Sequence, residues 1–195
     1  MNRYLRIEDQ HGIEVMRLCN PERLNAKTAQ MQAELNLAFT QAAANESVRA
    51  VVLCGEGDRA FCAGVDLSGV EWSRQRGRQM SEADFALYQL IEKCPKPVVA
   101  AVCGYALGGG LDLVLLADYV IASDDAVFSY PEVALGLVPA FGLVRLPSLV
   151  GLARARDLVL TGRRFSAAEA LAWGWSTKLC RWTMCWKQAL QWRRN

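Results

Sequence analysis

The sequence contains very little histidine, since His11, in the turn-like segment DQHG, is the only one among 195 residues. A Ser–His–Asp triad and a metal site built on several histidines are therefore nearly excluded. Paired cysteines are missing too: the seven cysteines are odd in number and include no C-x-x-C pair, which argues against a zinc site and a disulfide framework. Most of them lie in apolar runs such as AVVLC, where cysteine behaves as a small hydrophobic residue. We expect reduced core thiols and no bound metal.

A long apolar run and a strong charge of one sign are also absent. No run approaches the roughly 18 apolar residues of a membrane span, and the start MNRYLRIEDQHG lacks the apolar stretch of a signal peptide. The formal net charge is only +2, which gives no electrostatic reason to expect nucleic acid as the main partner. With 52% hydrophobic residues and a length suited to one domain, the chain is expected to be a soluble, globular, cytoplasmic protein.

Acidic residues are missing from the last stretch of the sequence. Residues 175–195 carry five basic residues and no acidic one, whereas residues 1–174 carry 17 basic and 20 acidic residues. From Trp173 onward the chain also holds five of the six tryptophans. When the tail is translated back into codons, a neighbouring reading frame can encode VVNKVVPVDDVLEASIAMAAQ. That sequence has an ordinary strand-then-helix pattern. We therefore predict a body at 1–174 and an atypical basic tail at 175–195 left by a frameshift or truncation; a membrane-surface or nucleic-acid segment is the alternative.

Two periodicities alternate along the body and predict an α/β fold with sheets buried between helices. Loose alternation in YLRIEDQ and GIEVMRLC is typical of paired strands. The short apolar runs AVVLC (50–54), VVAAV (98–102) and DYVIAS favour buried strands. Apolar residues at helical spacing predict a helix from Thr28, its N-cap, to Asn45.

Further helices follow the same logic. One is expected from Ser81, its predicted cap, to Lys93, and prolines at 95 and 97 end it. Another begins at about Leu111, and the pattern from Phe141 onward is helical. The polar stretch 68–80, with arginines at 74, 76 and 78, is interpreted as a mobile loop.

Two glycine-containing turns follow buried strands. GYALGGG matches neither a P-loop nor G-x-G-x-x-G, and the chain has no G-x-S-x-G elbow. What remains is a strand, three glycines (108–110) and a helix start, where free N–H groups can hold an oxyanion or where the glycines simply permit close packing. In FCAGVDL, a positive φ at Gly64 would free the N–H of Val65. Together the two turns suggest an oxyanion hole with two donors.

Two acids stand in apolar surroundings. Asp112, in GGGLDLVLLA, occupies the first turn of a predicted helix, where complementing the helix dipole is the simpler interpretation. Glu132 follows Pro131 in FSYPEVALGLVP. A carboxyl group desolvated in this way has a raised pKa suited to proton transfer.

Taken in order, five segments resemble the crotonase superfamily, the enoyl-CoA hydratase/isomerase family. They are NPERLNA (20–26), GDRAFCAGVDL (57–67), KPVVAAVCGYALGGGLDLVLLADYVIAS (96–123), FSYPEVALGLVPAFGLVRLPSLVG (128–151) and LTGRRFSAAEALAWG (160–174). The resemblance runs from about Tyr4 to Gly174. It implies a crotonase-like spiral of strand-strand-helix units that binds an acyl-CoA thioester, and a C-terminal helical region that is absent or scrambled here.

The resemblance also assigns site residues. The thioester oxygen would lie between the N–H groups of Val65 and Gly109, with Asp112 and Glu132 flanking the reacting carbons. CoA would be contacted by a further set: Arg23, Leu24, Ala26, Ala63, Asp66, Leu67 and Ser68. Relatives often have a lysine where Ser68 stands, which puts that phosphate contact in doubt. Hydratases of the family usually have glutamate at position 112, and dienoyl isomerases have a further acid near Ala140.

The implied activity is that of an enoyl-CoA hydratase, a lyase of fatty-acid β-oxidation that needs no cofactor because coenzyme A is part of the substrate. A double-bond isomerase using Glu132 as its single base is the alternative enzyme. A catalytically inactive CoA-binding remnant is the alternative of another class, and RNA binding through the basic tail is the weakest. Relatives assemble as trimers or hexamers.

Overall fold

A larger sheet of six strands and a smaller sheet of four organise the chain. The structure is a computed structural model that describes residues 4–70, 73–175, 178–180 and 190. The larger sheet has the order β1-β2-β3-β5-β7-β10, and the smaller one β4-β6-β8-β9. The strands are β1 Leu5–Asp9, β2 Ile13–Leu18, β3 Ala50–Gly55, β4 Ala60–Cys62, β5 Val98–Val102, β6 Tyr105–Leu107, β7 Tyr119–Ser123, β8 Val127–Ser129, β9 Phe165–Ser166 and β10 Lys178–Cys180.

Six α-helices and two short 3-10 helices surround these sheets within the described ranges. The α-helices are α1 Ala29–Ala44, α2 Arg74–Glu92, α3 Gly109–Leu115, α4 Ala140–Val150, α5 Leu152–Thr161 and α6 Ala167–Ala172. The 3-10 helices are Pro21–Arg23 and Pro131–Leu135. The predicted cap of α1 is confirmed, because the Thr28 side chain accepts a hydrogen bond from the Met31 N–H at 3.1 Å.

The strand-strand-helix repeat is confirmed and determines where the loops meet. In each repeat the first strand (β3, β5, β7) joins the larger sheet, and the second strand (β4, β6, β8) joins the smaller one. β4, β6 and β8 pair in parallel, so their carboxyl ends lie along one edge of the smaller sheet. Segments that follow these three strands are therefore brought together although they are far apart in sequence.

The larger sheet is buried on both faces, as its continuous apolar strands predict. β3 and β5 pair in parallel from Val51 opposite Val98 to Cys54 opposite Ala101. One face packs into the main core with helices α1 to α6. The other face forms a second cluster around Val15, Val52 and Val99, against which Leu190 packs.

The expected loop at 68–80 is wrong over most of its length. Helix α2 already begins at Arg74, so Ser81 lies inside the helix and is not its cap. The segment RQRGRQM consists of good helix formers apart from Gly77, and these residues propagate the helix that the apolar positions after Ser81 anchor. The predicted start of α3 at Leu111 is likewise two residues late.

The predicted tail is described only in part. Trp175 is 6% exposed, and its ring packs on Phe128 and Phe165 with centroids 4.8 and 5.7 Å apart. Lys178–Cys180 adds an edge strand parallel to β7. Residues 176–177, 181–189 and 191–195 lie outside the described residues, so the boundary at 174 and its frameshift origin stay predictions.

The cysteines follow the expectation with one exception. Among the described residues, Cys19, Cys54, Cys62, Cys94 and Cys103 are reduced, since none of them takes part in a disulfide. Cys180, in contrast, is disulfide-bonded, which corrects the expectation that all are reduced. Across the part of the chain that the structure describes, none of the helices has the length and apolar character needed to cross a membrane.

Candidate active site

A cavity of about 310 Å³ lies at the edge of the smaller sheet where β4, β6 and β8 end. Each strand contributes the segment that follows it: Ala63–Leu67 after β4, Gly108–Asp112 after β6 and Tyr130–Glu132 after β8. The opposite wall comes from α2 and the start of α4. The predicted residues that line the cavity are Ala63, Val65, Leu67, Gly109, Asp112 and Glu132.

The N–H groups of Val65 and Gly109 are left out of the local hydrogen-bond ladders. Val65 forms an isolated parallel bridge with Lys27 that uses the N–H groups of Lys27 and Asp66, at 2.7 and 2.9 Å, and not that of Val65 itself. Gly109 is the first residue of α3, where an N–H has no partner inside the helix. Gly64 has the predicted positive φ of 95°, and a Cβ there would lie 3.4 Å from the Gly109 nitrogen. The two turns are thus in close contact.

Two of the three consecutive glycines leave room for a neighbouring group. A Cβ on Gly108 would lie 2.5 Å from Oε1 of Glu132, so this position must be bare for the Glu132 carboxyl group to reach it. A Cβ on Gly110 would lie 2.1 Å from the Cys62 carbonyl oxygen, which reflects tight packing of α3 on β4. Gly108 therefore serves the cavity and Gly110 serves the packing.

Asp112 is 7% exposed and is held by two phenols from different elements. Tyr130 donates to Oδ1 at 2.6 Å, and Tyr88, on α2, donates to Oδ2 at 2.8 Å. Burial raises the pKa of Asp112 to about 6, against the hydrogen bonds from the two tyrosines and the charge of Lys27, which lower it. The position in the first turn of α3 also fits the helix dipole, so both interpretations from the sequence apply.

Glu132 is half-buried and lies in the first turn of the 3-10 helix that Pro131 begins. Burial, helped by the negative charge of Asp112 and opposed by a backbone hydrogen bond of Glu132 itself, raises its pKa to about 7. Its Oε2 is buried without a hydrogen-bond partner among the described residues. A buried acceptor of this kind is costly unless something else fills it, such as water or a ligand.

The predicted CoA contacts divide into two groups. Ala63 and Leu67 line the cavity, while Arg23, Leu24, Ala26, Asp66 and Ser68 lie beside it on the two neighbouring loops. Here the Ala63 N–H donates to the Leu24 carbonyl at 3.0 Å.

The charged part of this rim is a small cluster. The Arg23 guanidinium lies 3.5 Å from Asp66 and also contacts the Ser68 hydroxyl. Hydrogen bonds from Ser68, together with the charge of Arg23, hold the pKa of Asp66 below its ordinary value. The arginine is more than half exposed and is therefore accessible to an anionic ligand.

Sequence reasoning missed two residues of the cavity wall, Tyr88 and Asp84, and two that bind wall residues, Tyr130 and Lys27. Tyr88 and Tyr130 carry buried hydroxyls that need partners, and only the fold reveals that both choose Asp112. Lys27 is 2% exposed, pairs with Asp84, and lies 5.4 Å from the centre of the Tyr88 ring. Nothing local in the sequence linked either tyrosine to Asp112 or marked Lys27 as buried.

The chain is similar to known proteins over most of its length. A family model described as enoyl-CoA hydratase/isomerase matches residues 8–194. A "Probable enoyl-CoA hydratase" of Rhizobium meliloti is 39% identical over 171 residues, 85% of this chain and 64% of that protein. A "Carnitinyl-CoA dehydratase" of Proteus mirabilis is 39% identical over 152 residues, 77% of this chain and 57% of that protein.

Solved structures show the same fold. The crystal structure of an enoyl-CoA hydratase from Bacillus anthracis superposes with a TM-score of 0.93 at 30% identity, covering 98% of this chain and 76% of that one. The present chain thus spans less than two thirds of the length of the two curated relatives named above.

Proposed function

Since the chain belongs to the enoyl-CoA hydratase/isomerase family, we propose that it adds water across the C2=C3 double bond of a 2-enoyl-CoA thioester. The observation that carries the proposal is the meeting of two carboxyl groups with raised pKa and two unused backbone N–H groups around one cavity. Hydration of an enoyl thioester needs both kinds of group, because charge develops on the thioester oxygen while protons move at C2 and C3.

The thioester oxygen is assigned to the N–H groups of Val65 and Gly109. Attack at C3 moves the C2=C3 electron pair towards the thioester and gives an enolate oxygen. Fixed donors in a cavity with little water stabilise that charge, and one such donor typically contributes ~3–4 kcal/mol. This assignment is supported by the position of both amides on the cavity wall and by their absence from the bridge and helix ladders.

The two carboxyl groups are assigned to the water. The Glu132 carboxylate takes one proton as the water oxygen bonds to C3, and that proton returns to C2 when the enolate collapses. Asp112 orients the water. Each proton-transfer role typically contributes ~10²–10⁴-fold to the rate, and a pKa of about 7 for Glu132 suits a group that must accept and release a proton near neutrality.

The rim formed by Arg23, Leu24, Ala26, Asp66 and Ser68 is assigned to coenzyme A. The exposed Arg23 would meet phosphate oxygens, and the backbone of the two loops would meet the adenine and pantetheine. Coenzyme A enters and leaves as part of the substrate, so the proposed steps use no separate cofactor. The binding of this handle positions the alkene next to the water.

Crotonyl-CoA hydration tests the proposal. We expect the wild type to remove the enone absorbance of crotonyl-CoA and Glu132→Gln to lose that activity by at least about 10²-fold. The matched control is Glu46→Gln, since Glu46 is an exposed glutamate in the turn before β3. A wild type that binds crotonyl-CoA without turning it over contradicts hydration and supports the inactive remnant.

A double-bond isomerase is the second candidate, and one observation favours it. Both oxygens of Asp112 already accept hydrogen bonds from phenols, whereas Oε2 of Glu132 has no partner among the described residues. An isomerase needs only one base to move a proton between C2 and C4. Turnover of a 3-enoyl-CoA with none of a 2-enoyl-CoA would establish this activity instead.

Fatty-acid β-oxidation as the setting, and assembly into trimers or hexamers, belong to the same proposal and rest on the family resemblance. Sedimentation velocity of the full chain tests the assembly. A monomer at micromolar concentration would contradict it.

A further inference from the structure

The Asp112 carboxylate is fixed in orientation by two side chains that approach it from opposite elements. Tyr130 holds Oδ1 at 2.6 Å and Tyr88 holds Oδ2 at 2.8 Å, so the plane of the carboxylate is defined at both oxygens. Hydrogen bonds to an ionised acceptor are roughly twice as strong as neutral ones. Rotation of Asp112 towards a substrate proton would break at least one of them.

Neighbouring residues keep the two phenols in place. The ring of Tyr130 fills the space beside Gly142 of α4, where a Cβ would lie 2.4 Å from the ring carbon Cζ. The ring of Tyr88 packs on Phe141, with centroids 4.8 Å apart. A glycine inside a helix is less favourable than alanine, and here it provides the room that lets Tyr130 reach Asp112.

The phenols can only act as donors. Burial and the neighbouring Asp112 carboxylate raise the pKa of both Tyr88 and Tyr130 above the ordinary value for tyrosine. Each therefore keeps its proton and donates a hydrogen bond to an Asp112 oxygen. If Asp112 takes up a proton, both buried phenols lose a charged acceptor, which disfavours the neutral form.

Charged and titratable groups face Asp112 from every element around it. They are Tyr88 and Asp84 on α2, Lys27 before α1, Tyr130 after β8 and Glu132 in the second 3-10 helix. Lys27 and the phenols favour the carboxylate, while Asp84 and Glu132 oppose it. The favourable groups make direct hydrogen bonds or are buried with Asp112, whereas Asp84 is already neutralised by Lys27.

We propose that Tyr88 and Tyr130 are positioning residues that hold Asp112 as a fixed carboxylate, so that proton transfer to and from the acyl carbons falls to Glu132 alone. The inference rests on the proposed hydratase function for its kinetic consequences. In that reaction the clamped Asp112 orients the attacking water through the lone pairs that the phenols leave open. Glu132, with an unpartnered Oε2, takes the proton from the water and returns it to C2.

The experiment compares Tyr130→Phe and Tyr88→Phe with the matched control Tyr105→Phe. Tyr105 lies on β6 outside the cavity lining, with its ring under Arg164. Each cavity variant keeps its ring and loses only the hydroxyl. We expect kcat for crotonyl-CoA to fall about tenfold with KM unchanged, and the acidic limb of the pH profile to move upward and become steeper, as Asp112 then titrates together with Glu132. The control variant should match the wild type.

A second measurement tests the clamp, meaning the two hydrogen bonds from Tyr88 and Tyr130 to Asp112, and needs no turnover. In protein labelled with ¹³C-aspartate, the Asp112 carboxyl signal is the one that Asp112→Asn removes. We expect its midpoint to rise by about one unit in Tyr130→Phe and Tyr88→Phe and to stay constant in Tyr105→Phe. Circular dichroism confirms that each variant is folded, and the two tyrosine variants give independent answers.

The outcomes separate the two proposals. An inactive wild type whose Asp112 midpoint still moves in the tyrosine variants overturns hydration and supports the clamp. An active wild type in which both variants leave the midpoint and the acidic limb unchanged overturns the clamp, even where activity falls equally at every pH, because that pattern reflects packing alone.

Discussion

The two acid corners of the cavity differ in what surrounds them, although burial is the largest cause of a raised pKa in both. The Asp112 corner consists of Asp112, Tyr88 and Tyr130, and every carboxylate oxygen there has a donor. At the Glu132 corner, the carboxyl group lies against the bare backbone of Gly108, and Oε2 has no partner among the described residues. The two acids thus differ in hydrogen bonding: both oxygens of Asp112 are held by donors, and Oε2 of Glu132 is not.

The largest effect is expected when each of the two acids is removed in turn. We expect Glu132→Gln to lower kcat for crotonyl-CoA about 10³-fold and Asp112→Asn about 10–100-fold, because only the first removes the proton carrier. The double variant should be little worse than Glu132→Gln, since both act in one step. Steady-state kinetics of the three proteins measure this, and equal losses in the two single variants would contradict the division of roles.

The next largest effect is expected when the positive charge of Lys27, which lies beside the Asp112 corner, is removed. Lys27→Met leaves Asp84 without its buried partner and removes a cation that favours the Asp112 carboxylate. We expect a loss of about 2 kcal/mol in the free energy of unfolding and an upward shift of the Asp112 pKa. Urea unfolding and the carboxyl titration measure the two effects. Lys93→Met, at an exposed lysine, is the control and should change neither.

Fold and site were predictable to different degrees, for physical reasons. Continuous apolar runs identified β3 and β5 because strands buried on both faces need such runs, and Thr28 identified the start of α1. Short strands such as β8, Val127–Ser129, carry too few residues to show a period. The glycines and acids of the site follow strands, and the local sequence pattern is enough to show this. The hydrogen bonds of Tyr88 and Tyr130 to Asp112 join residues that are 24 and 18 positions apart, so no local pattern predicts them.

A smaller effect is expected in how the stability of the folded chain depends on pH. The pKa of Asp112 is about 6 and that of Glu132 about 7 in the folded chain, against ordinary values of 3.8 and 4.5. The folded state therefore holds these protons more tightly than the unfolded state, so both acids destabilise the fold progressively as pH rises from about 4 to about 7, and fully above it.

Glu132→Gln abolishes one of these charges. Its melting temperature should exceed that of the wild type by a few degrees at pH 8 and equal it at pH 4, where both proteins are neutral at this position. Thermal unfolding at the two pH values measures the difference. A variant less stable than the wild type at pH 8 would mean that Glu132 is stabilised in its charged form, contrary to its lack of a partner.

The smallest expected effect lies at the rim, where side chains meet solvent. Arg23 is more than half exposed and pairs weakly with Asp66, so Arg23→Ala should leave stability unchanged. We expect KM for crotonyl-CoA to rise about threefold, with kcat constant, because a solvent-exposed cation contributes about 1 kcal/mol or less to phosphate binding. The N-acetylcysteamine thioester, which carries the same acyl group without the nucleotide, should show no change. A fall in kcat for both substrates would instead connect Arg23 to the acid corners, through the Leu24–Ala63 hydrogen bond that links the two loops.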